Sequence, residues 1–152
     1  MKFPDRSLTN LQIEGRMKRV PGWLGVFSRD TLPDLSRQKA PWSLVFNLQT
    51  SKEAGSHWVA MCRQQGGRYI EYFDSFGAAP PVEAVRAKGR VPLMHSSAQL
   101  QDVRSSSCGW YCMDFLRERA KGVPMLEYLY RFNQNFGDPK AGAENERLLH
   151  RR

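Results

Sequence analysis

The sequence predicts a single α+β domain, with a small, mostly antiparallel sheet flanked by helices. Apolar residues recur at helical spacing at both ends of the chain and in short strand-like runs between. That order of helix, strands and helices disfavours a doubly wound sheet. Gln65-Gly66-Gly67 supplies the turn chemistry to join two of the runs as a hairpin. The length of 152 residues suits one domain that can bury a core without disulfide or metal staples.

In chain order, Leu8, Leu11, Ile13 and Met17 outline a short amphipathic helix, with Ser7 or Thr9 as its cap and Pro21-Gly22 as its stop. Residues 23–27 read as a short strand and 28–42, with two prolines and mixed charge, as loop. Residues 43–48 form a buried type of strand. A polar loop over 50–56 leads to a strand at 57–64, and residues 68–73 return from the turn. Residues 75–81 form a loop, 82–88 a short helix and 91–95 an edge strand. Residues 108–121 have helical period, with Trp110, Met113, Phe115 and Leu116 inward and Gly122 closing the helix. A last helix is expected over 124–136, carrying Met125, Leu126, Leu129, Tyr130 and Phe132. Residues 137–152 are polar and basic and are expected to be a mobile tail, leaving 1–136 as the folded domain.

Composition narrows the class. An apolar share of 41%, with 8 Phe, 5 Tyr and 4 Trp, suits a folded globule rather than a disordered chain. No apolar run approaches the roughly 20 residues of a membrane span. Met1-Lys2-Phe3-Pro4-Asp5-Arg6 has no apolar signal core, so neither a membrane nor export is expected. Three cysteines, Cys62, Cys108 and Cys112, do not make a disulfide framework and fit a reducing compartment. The formal charge of +8 is read either as solubility or as affinity for a polyanion such as nucleic acid. Local basic groups lie at Arg16-Lys18-Arg19 and Arg147-Arg151-Arg152.

Four segments carry chemistry: Gly55-Ser56-His57-Trp58-Val59-Ala60, Tyr72-Phe73-Asp74-Ser75-Phe76-Gly77, Gln101, and Ser107-Cys108-Gly109-Trp110-Tyr111-Cys112. A thiol attacks a carbonyl well only as thiolate. The partial positive charge of a helix start and a neighbouring imidazolium both favour that form at Cys108. His57 lies at the mouth of a strand, and Asp74 ends the strand expected to pair with it. Asp74 can then fix the tautomer of His57 and stabilise its charged form. The Gln101 amide and the Cys108 backbone N–H can donate to a developing oxyanion. Other roles stay open: Asp74 as a turn cap before Gly77, and Gln99 in place of Gln101. Cys62 and Cys112 are expected in the core. A metal site at Cys108 and Cys112 is disfavoured because no matching His or Cys pair lies close in sequence.

At these residues the sequence resembles the adenovirus-protease-type (adenain-like) cysteine peptidases of the SUMO-protease-like clan, as encoded by DNA viruses and virus-like elements. The clan reads His-Trp, an Asp or Glu after a second strand, Gln, then Cys-Gly at a helix start. Here these are His57-Trp58, Asp74, Gln101 and Cys108-Gly109. The gaps of 17 residues from His57 to Asp74 and seven from Gln101 to Cys108 resemble the viral branch. The resemblance covers about residues 8 to 132. Leu8-Thr9-Asn10-Leu11-Gln12-Ile13 resembles the opening segment of the SUMO-protease-like branch, with leucine where that branch has tryptophan.

The resemblance implies a papain-like, adenain-like arrangement, with residues 1–136 as the peptidase domain and the nucleophile at a helix N-terminus. It implies catalytic roles for His57, Asp74, Gln101 and Cys108, and substrate binding at Trp58 and Gly109. Trp58 would narrow a channel that admits only glycine-type residues before the scissile bond. The implied activity is an endopeptidase that processes viral precursor structural proteins during virion maturation, in the virion and in the nucleus or cytoplasm of the infected cell. No cofactor is required for the chemistry, while DNA or a peptide can serve as activator. Expected partners are polypeptide substrates and DNA bound without sequence preference, around a monomer. Two rival readings are a protease that removes ubiquitin- or SUMO-like modifiers and a catalytically silent binding module on the same fold.

Overall fold

Thr9 opens the first helix. Its hydroxyl accepts from the Gln12 N–H while the Gln12 side chain accepts from the Thr9 N–H, a reciprocal cap that starts α1 (Asn10–Met17). The computed structural model describes residues 8–52, 57–102 and 104–151. After α1 come β1 (Trp23–Ser28), a 3-10 turn (Arg29–Thr31), β2 (Trp42–Asn47), β3 (Trp58–Arg63) and β4 (Ile70–Phe73). Then follow α2 (Val82–Ala87), β5 (Leu93–His95), α3 (Cys108–Ala120), α4 (Met125–Tyr130) and α5 (Ala141–His150). Among the described residues no helix is long and apolar enough to cross a membrane.

The five strands lie in the order β1-β2-β3-β4-β5. The two central pairings, β2 with β3 and β3 with β4, are antiparallel. The two outer ones, β1 with β2 and β4 with β5, are parallel. The sheet is therefore mixed rather than mostly antiparallel. A parallel neighbour needs a connection that carries the chain back to the same end of the sheet. The 3-10 turn and loop before β2 do this on one side, and α2 does it before β5.

Side-chain alternation splits the core into two layers. Val45, Ala60, Cys62 and Phe73 face α3, where they meet Tyr111, Cys112, Phe115 and Leu116. Trp42, Leu44, Phe46, Val59, Met61 and Tyr72 point the other way, against Leu35 and, on α2, Ala84. Every residue of β2 is buried, as its continuous apolar run requires. Phe73 stacks on Phe115 with ring centroids 4.4 Å apart, and Tyr128 of α4 meets both rings edge-on. These contacts fix α3 lengthwise across the sheet, which sets where its first residue, Cys108, emerges.

Two expectations at the C-terminal end are corrected. The helix expected over 124–136 stops at Tyr130, because Arg131 and Phe132 donate to Tyr128 and Leu129 in a tighter i→i+3 turn. That turn carries Phe132 into the core and leaves Leu126 and Tyr130 exposed. The expected mobile tail is folded: residues 141–150 form α5, with Ala141, Asn145 and Leu149 buried along one stripe. Leu149 joins the α3 side of the core.

Candidate active site

His57 stands one residue before β3, and Asp74 one residue after β4. The antiparallel register, with Ala60 opposite Phe73 and Met61 opposite Tyr72, brings both to the same end of the sheet. His57 Nε2 lies 2.8 Å from Asp74 Oδ1. The same carboxylate oxygen accepts the Phe76 N–H at 2.8 Å, and the Asp74 carbonyl accepts from Gly77 at 2.8 Å. Asp74 is thus both the turn cap and the partner of the histidine, two roles the sequence left as alternatives. Gly77 sits at φ +78°, and a Cβ there would lie 2.6 Å from the Ser97 carbonyl oxygen, so the turn admits no side chain. The turn aims Phe76 back over the site, where its ring stacks on the His57 imidazole at 4.5 Å between centroids.

Cys108 is the first residue of α3 and is 2% exposed. The first turn of α3 holds no acidic residue and its N-cap Ser107 makes no side-chain cap bond, so the turn brings no carboxylate of its own against the positive end of the helix. The Trp58 N–H donates to Cys108 Sγ at 3.4 Å, and the Cys112 thiol donates to the Trp58 carbonyl at 3.3 Å. The two sulfurs, one helical turn apart, thus grip the same residue of β3. His57 also hydrogen-bonds Cys108. With Nε2 on Asp74, the ring presents its other nitrogen to the thiol. Burial disfavours charge on His57, but the hydrogen bonds to Asp74 and Cys108, with the charges of both, outweigh it and push the pKa up to about 9. The imidazole is accordingly held as imidazolium at neutral pH. Burial pushes the thiols of Cys62 and Cys112 up, which keeps them protonated and suits their place in the core.

Gln101 is 1% exposed. Its Oε1 accepts from the Ser75 hydroxyl and its Nε2 donates to the Ser105 carbonyl at 2.9 Å. A carbonyl only accepts, so the amide orientation is fixed, and one Nε2 hydrogen is left beyond the Ser105 bond. The Ser75 carbonyl accepts from both Leu100 and Gln101. The dipeptide Asp74-Ser75 therefore positions the histidine with one residue and the glutamine with the next. Gln99 turns its Nε2 onto the Gln101 carbonyl at 3.0 Å.

Trp58 is 7% exposed, and its indole N–H donates to the Leu8 carbonyl at 2.9 Å. Gly109 lies beneath this pair. A Cβ at Gly109 would come within 3.0 Å of Leu8 Cδ1 and 3.3 Å of Trp58 Cδ1. Beside the indole opens a cleft of about 570 Å³, lined by Leu8, Thr9, Val26, Ser28, Asn47 and Trp58. The structure thus gathers His57, Asp74, Cys108, Trp58 and Gly109 at one end of the sheet, with Gln101 tied to them through Ser75. Sequence reasoning gave no role to Ser75 or Phe76 and did not foresee the contact between Leu8 and Trp58. The signal available for the first two was only their place beside Asp74. Gly55 and Ser56, also part of the expected motif, lie outside the described residues.

No family model matches the chain. A protein named "Protease" from porcine adenovirus A serotype 3 is 23% identical over 156 residues, covering 91% of this chain and 74% of that protein. The crystal structure of the ASFV protease superposes with a TM-score of 0.65 at 18% identity, over 93% of this chain and 67% of that one. The SUMO protease Ulp1 superposes with a TM-score of 0.52 at 17% identity, over 97% and 77%. One structure of the Ulp1 protease domain is a complex with the yeast ortholog of SUMO.

A thiol at a helix start, gripped from β3 and beside a carboxylate-held imidazole on this fold, is the arrangement expected of a cysteine-type peptidase. The chain is similar to the adenovirus protease and has the fold of the ASFV and Ulp1 proteases.

Proposed function

We propose that the chain is an endopeptidase with Cys108 as nucleophile, His57 as its acid and base, Asp74 as the orienting carboxylate, and Gln101 with the Cys108 N–H as oxyanion donors. The observation that carries this is His57 held between Asp74 and the Cys108 thiol. The thiol proton passes to His57 and Sγ attacks the scissile carbonyl, whose electrons move onto oxygen. The remaining Nε2 hydrogen of Gln101 and the Cys108 N–H stabilise that oxyanion. Collapse breaks the C–N bond, and His57 gives its proton to the leaving amine. Water, deprotonated by His57, then attacks the thioester and frees Cys108.

Trp58 and Leu8 line the cleft and pack closely on Gly109, next to Cys108, which supports a preference for glycine-type residues before the scissile bond. Polypeptide substrates fit the adenovirus protease relative, and viral precursor proteins are the ones we propose. The likeness to Ulp1 supports a second reading, removal of a SUMO-like modifier, with the same chemistry. The test is a panel of Gly-Gly-containing fluorogenic peptides beside a ubiquitin-like conjugate. Cleavage is expected after glycine, lost when leucine replaces it and abolished in Cys108→Ala. Equal cleavage of the leucine peptides would sink the narrow channel, and cleavage of the conjugate alone would select the second reading.

The charge supports a DNA partner. Arg16, Lys18 and Arg19 at the end of α1 and Arg117 and Lys121 of α3 are all exposed. The Arg117 guanidinium donates to the Arg16 carbonyl, which makes the two basic groups one face. Such a face would hold phosphates without reading bases.

A further inference from the structure

We propose that α5 belongs to the catalytic apparatus, with Asn145 and Glu146 as positioning residues for the oxyanion donor Gln101. The inference rests on the role given to Gln101 above and extends it to a part of the chain that contributes no group to the chemistry. Asn145 is fully buried, a polar residue in the middle of the apolar stripe of α5. Its Nδ2 donates to the Leu100 carbonyl at 2.8 Å and to the Asn133 carbonyl at 2.6 Å. Its Oδ1 accepts the Asn133 N–H at 2.6 Å. A backbone N–H only donates and a carbonyl only accepts, so the amide has one permitted orientation. Each of these three hydrogen bonds is with backbone, and one of them is to the residue before Gln101.

Glu146 acts at the other end of the same stretch. It accepts the Ser105 hydroxyl, and Ser105 uses its carbonyl to hold Gln101 Nε2 and its hydroxyl oxygen to accept the Ser107 N–H. Between the two, Gly142 lets α5 approach so closely that a Cβ would lie 2.7 Å from the Cβ of Asp102. The stretch that carries Gln101 to Cys108 is therefore gripped from α5 before, beside and after the glutamine. From the sheet side it is held by Ser75. A buried amide that serves only backbone groups is costly to place in a core unless its geometry is needed. The geometry here fixes the one glutamine whose free hydrogen the oxyanion must meet.

The experiment separates oxyanion binding from thiol competence. N-acetyl-glycyl-glycinal adds to the Cys108 thiol as a hemithioacetal: a C–S bond forms and the carbonyl oxygen takes up the proton, with no leaving group. Its affinity is read as protection of Cys108 against iodoacetamide, whose own reaction makes no oxyanion. In Asn145→Ala and Glu146→Ala the alkylation rate without aldehyde should stay near that of the unaltered protein, while protection weakens by roughly tenfold or more. Glu146→Gln, which keeps an acceptor for Ser105, should restore protection. Should Asn145→Ala fail to fold, the half-buried Glu146 pair carries the test alone. Unchanged protection in both alanine variants, or alkylation that falls in parallel with protection, overturns the proposal. An unaltered protein that iodoacetamide labels at Cys108 but the aldehyde does not protect would overturn the oxyanion assignment itself.

Discussion

Asp74→Asn isolates the charge that holds His57. The carboxylate is 1% exposed and gives one oxygen to both the imidazole and the Phe76 N–H. The rise of the His57 pKa from 6.5 to about 9 corresponds to about 3 kcal/mol in favour of the imidazolium. Burial opposes that rise and Cys108 supports it, so with the charge of Asp74 gone the pKa should fall from about 9 toward its ordinary value. Asparagine can also donate to Nε2 and leave the ring in the wrong tautomer, which should cut turnover on the order of 10³- to 10⁴-fold with a smaller change in KM. Stability should follow the same linkage. A raised native pKa contributes fully below 6.5 and is lost as pH climbs through about 9. Relative to Asp74→Asn, the unaltered protein should therefore lose stability across that window. Titration of the His57 ring by NMR, with thermal unfolding of both proteins from pH 6 to 9.5, measures both effects. A His57 pKa unmoved by the substitution, or a stability difference that grows with pH, refutes the reasoning.

Gln101→Ala should lower turnover about a hundredfold by removing one oxyanion donor. Gln99→Ala should change it little, since the Gln99 amide is turned onto the Gln101 carbonyl; the reverse outcome would move the role to Gln99. Iodoacetamide should label Cys108 faster than Cys62 or Cys112, whose thiols burial keeps protonated; equal labelling would count against the imidazolium pairing. Binding to duplexes of unrelated sequence should fall with salt at a log–log slope of roughly −3 to −4, and each of Arg16→Ala and Arg19→Ala should flatten it by about one. No binding at low salt would leave the charge as a solubility feature.

The strands and the nucleophile helix were legible because their signals are local. The continuous apolar run of β2, the Gln65-Gly66-Gly67 turn and the helical period after Cys108 each follow from neighbours in sequence. The sense of the outer strands was not legible. β1 and β5 read as strands alone, but whether they run with or against their neighbours depends on connections whose paths no local pattern specifies. The end of α4 was missed for a related reason: Phe132 fits the helical period, yet the core draws it in through a tighter turn.

The site divides along the same line. His57, Asp74, Gln101 and Cys108 could be picked out because their side chains are of the few types capable of such chemistry. What fixes them in place is ordinary: a serine hydroxyl on Gln101, a phenylalanine ring on His57, a leucine carbonyl on the Trp58 indole. The C-terminal segment shows how such support stays hidden. Ala141, Asn145 and Leu149 stand four residues apart, as one face of a helix must. The middle position is an amide, and Glu144, Glu146 and Arg147 surround it, so the stripe reads as polar. The same amide that hid the helix joins it to the residue beside Gln101. A polar residue buried at a core position is thus the place where reading by hydrophobic period fails and where the support of the site begins.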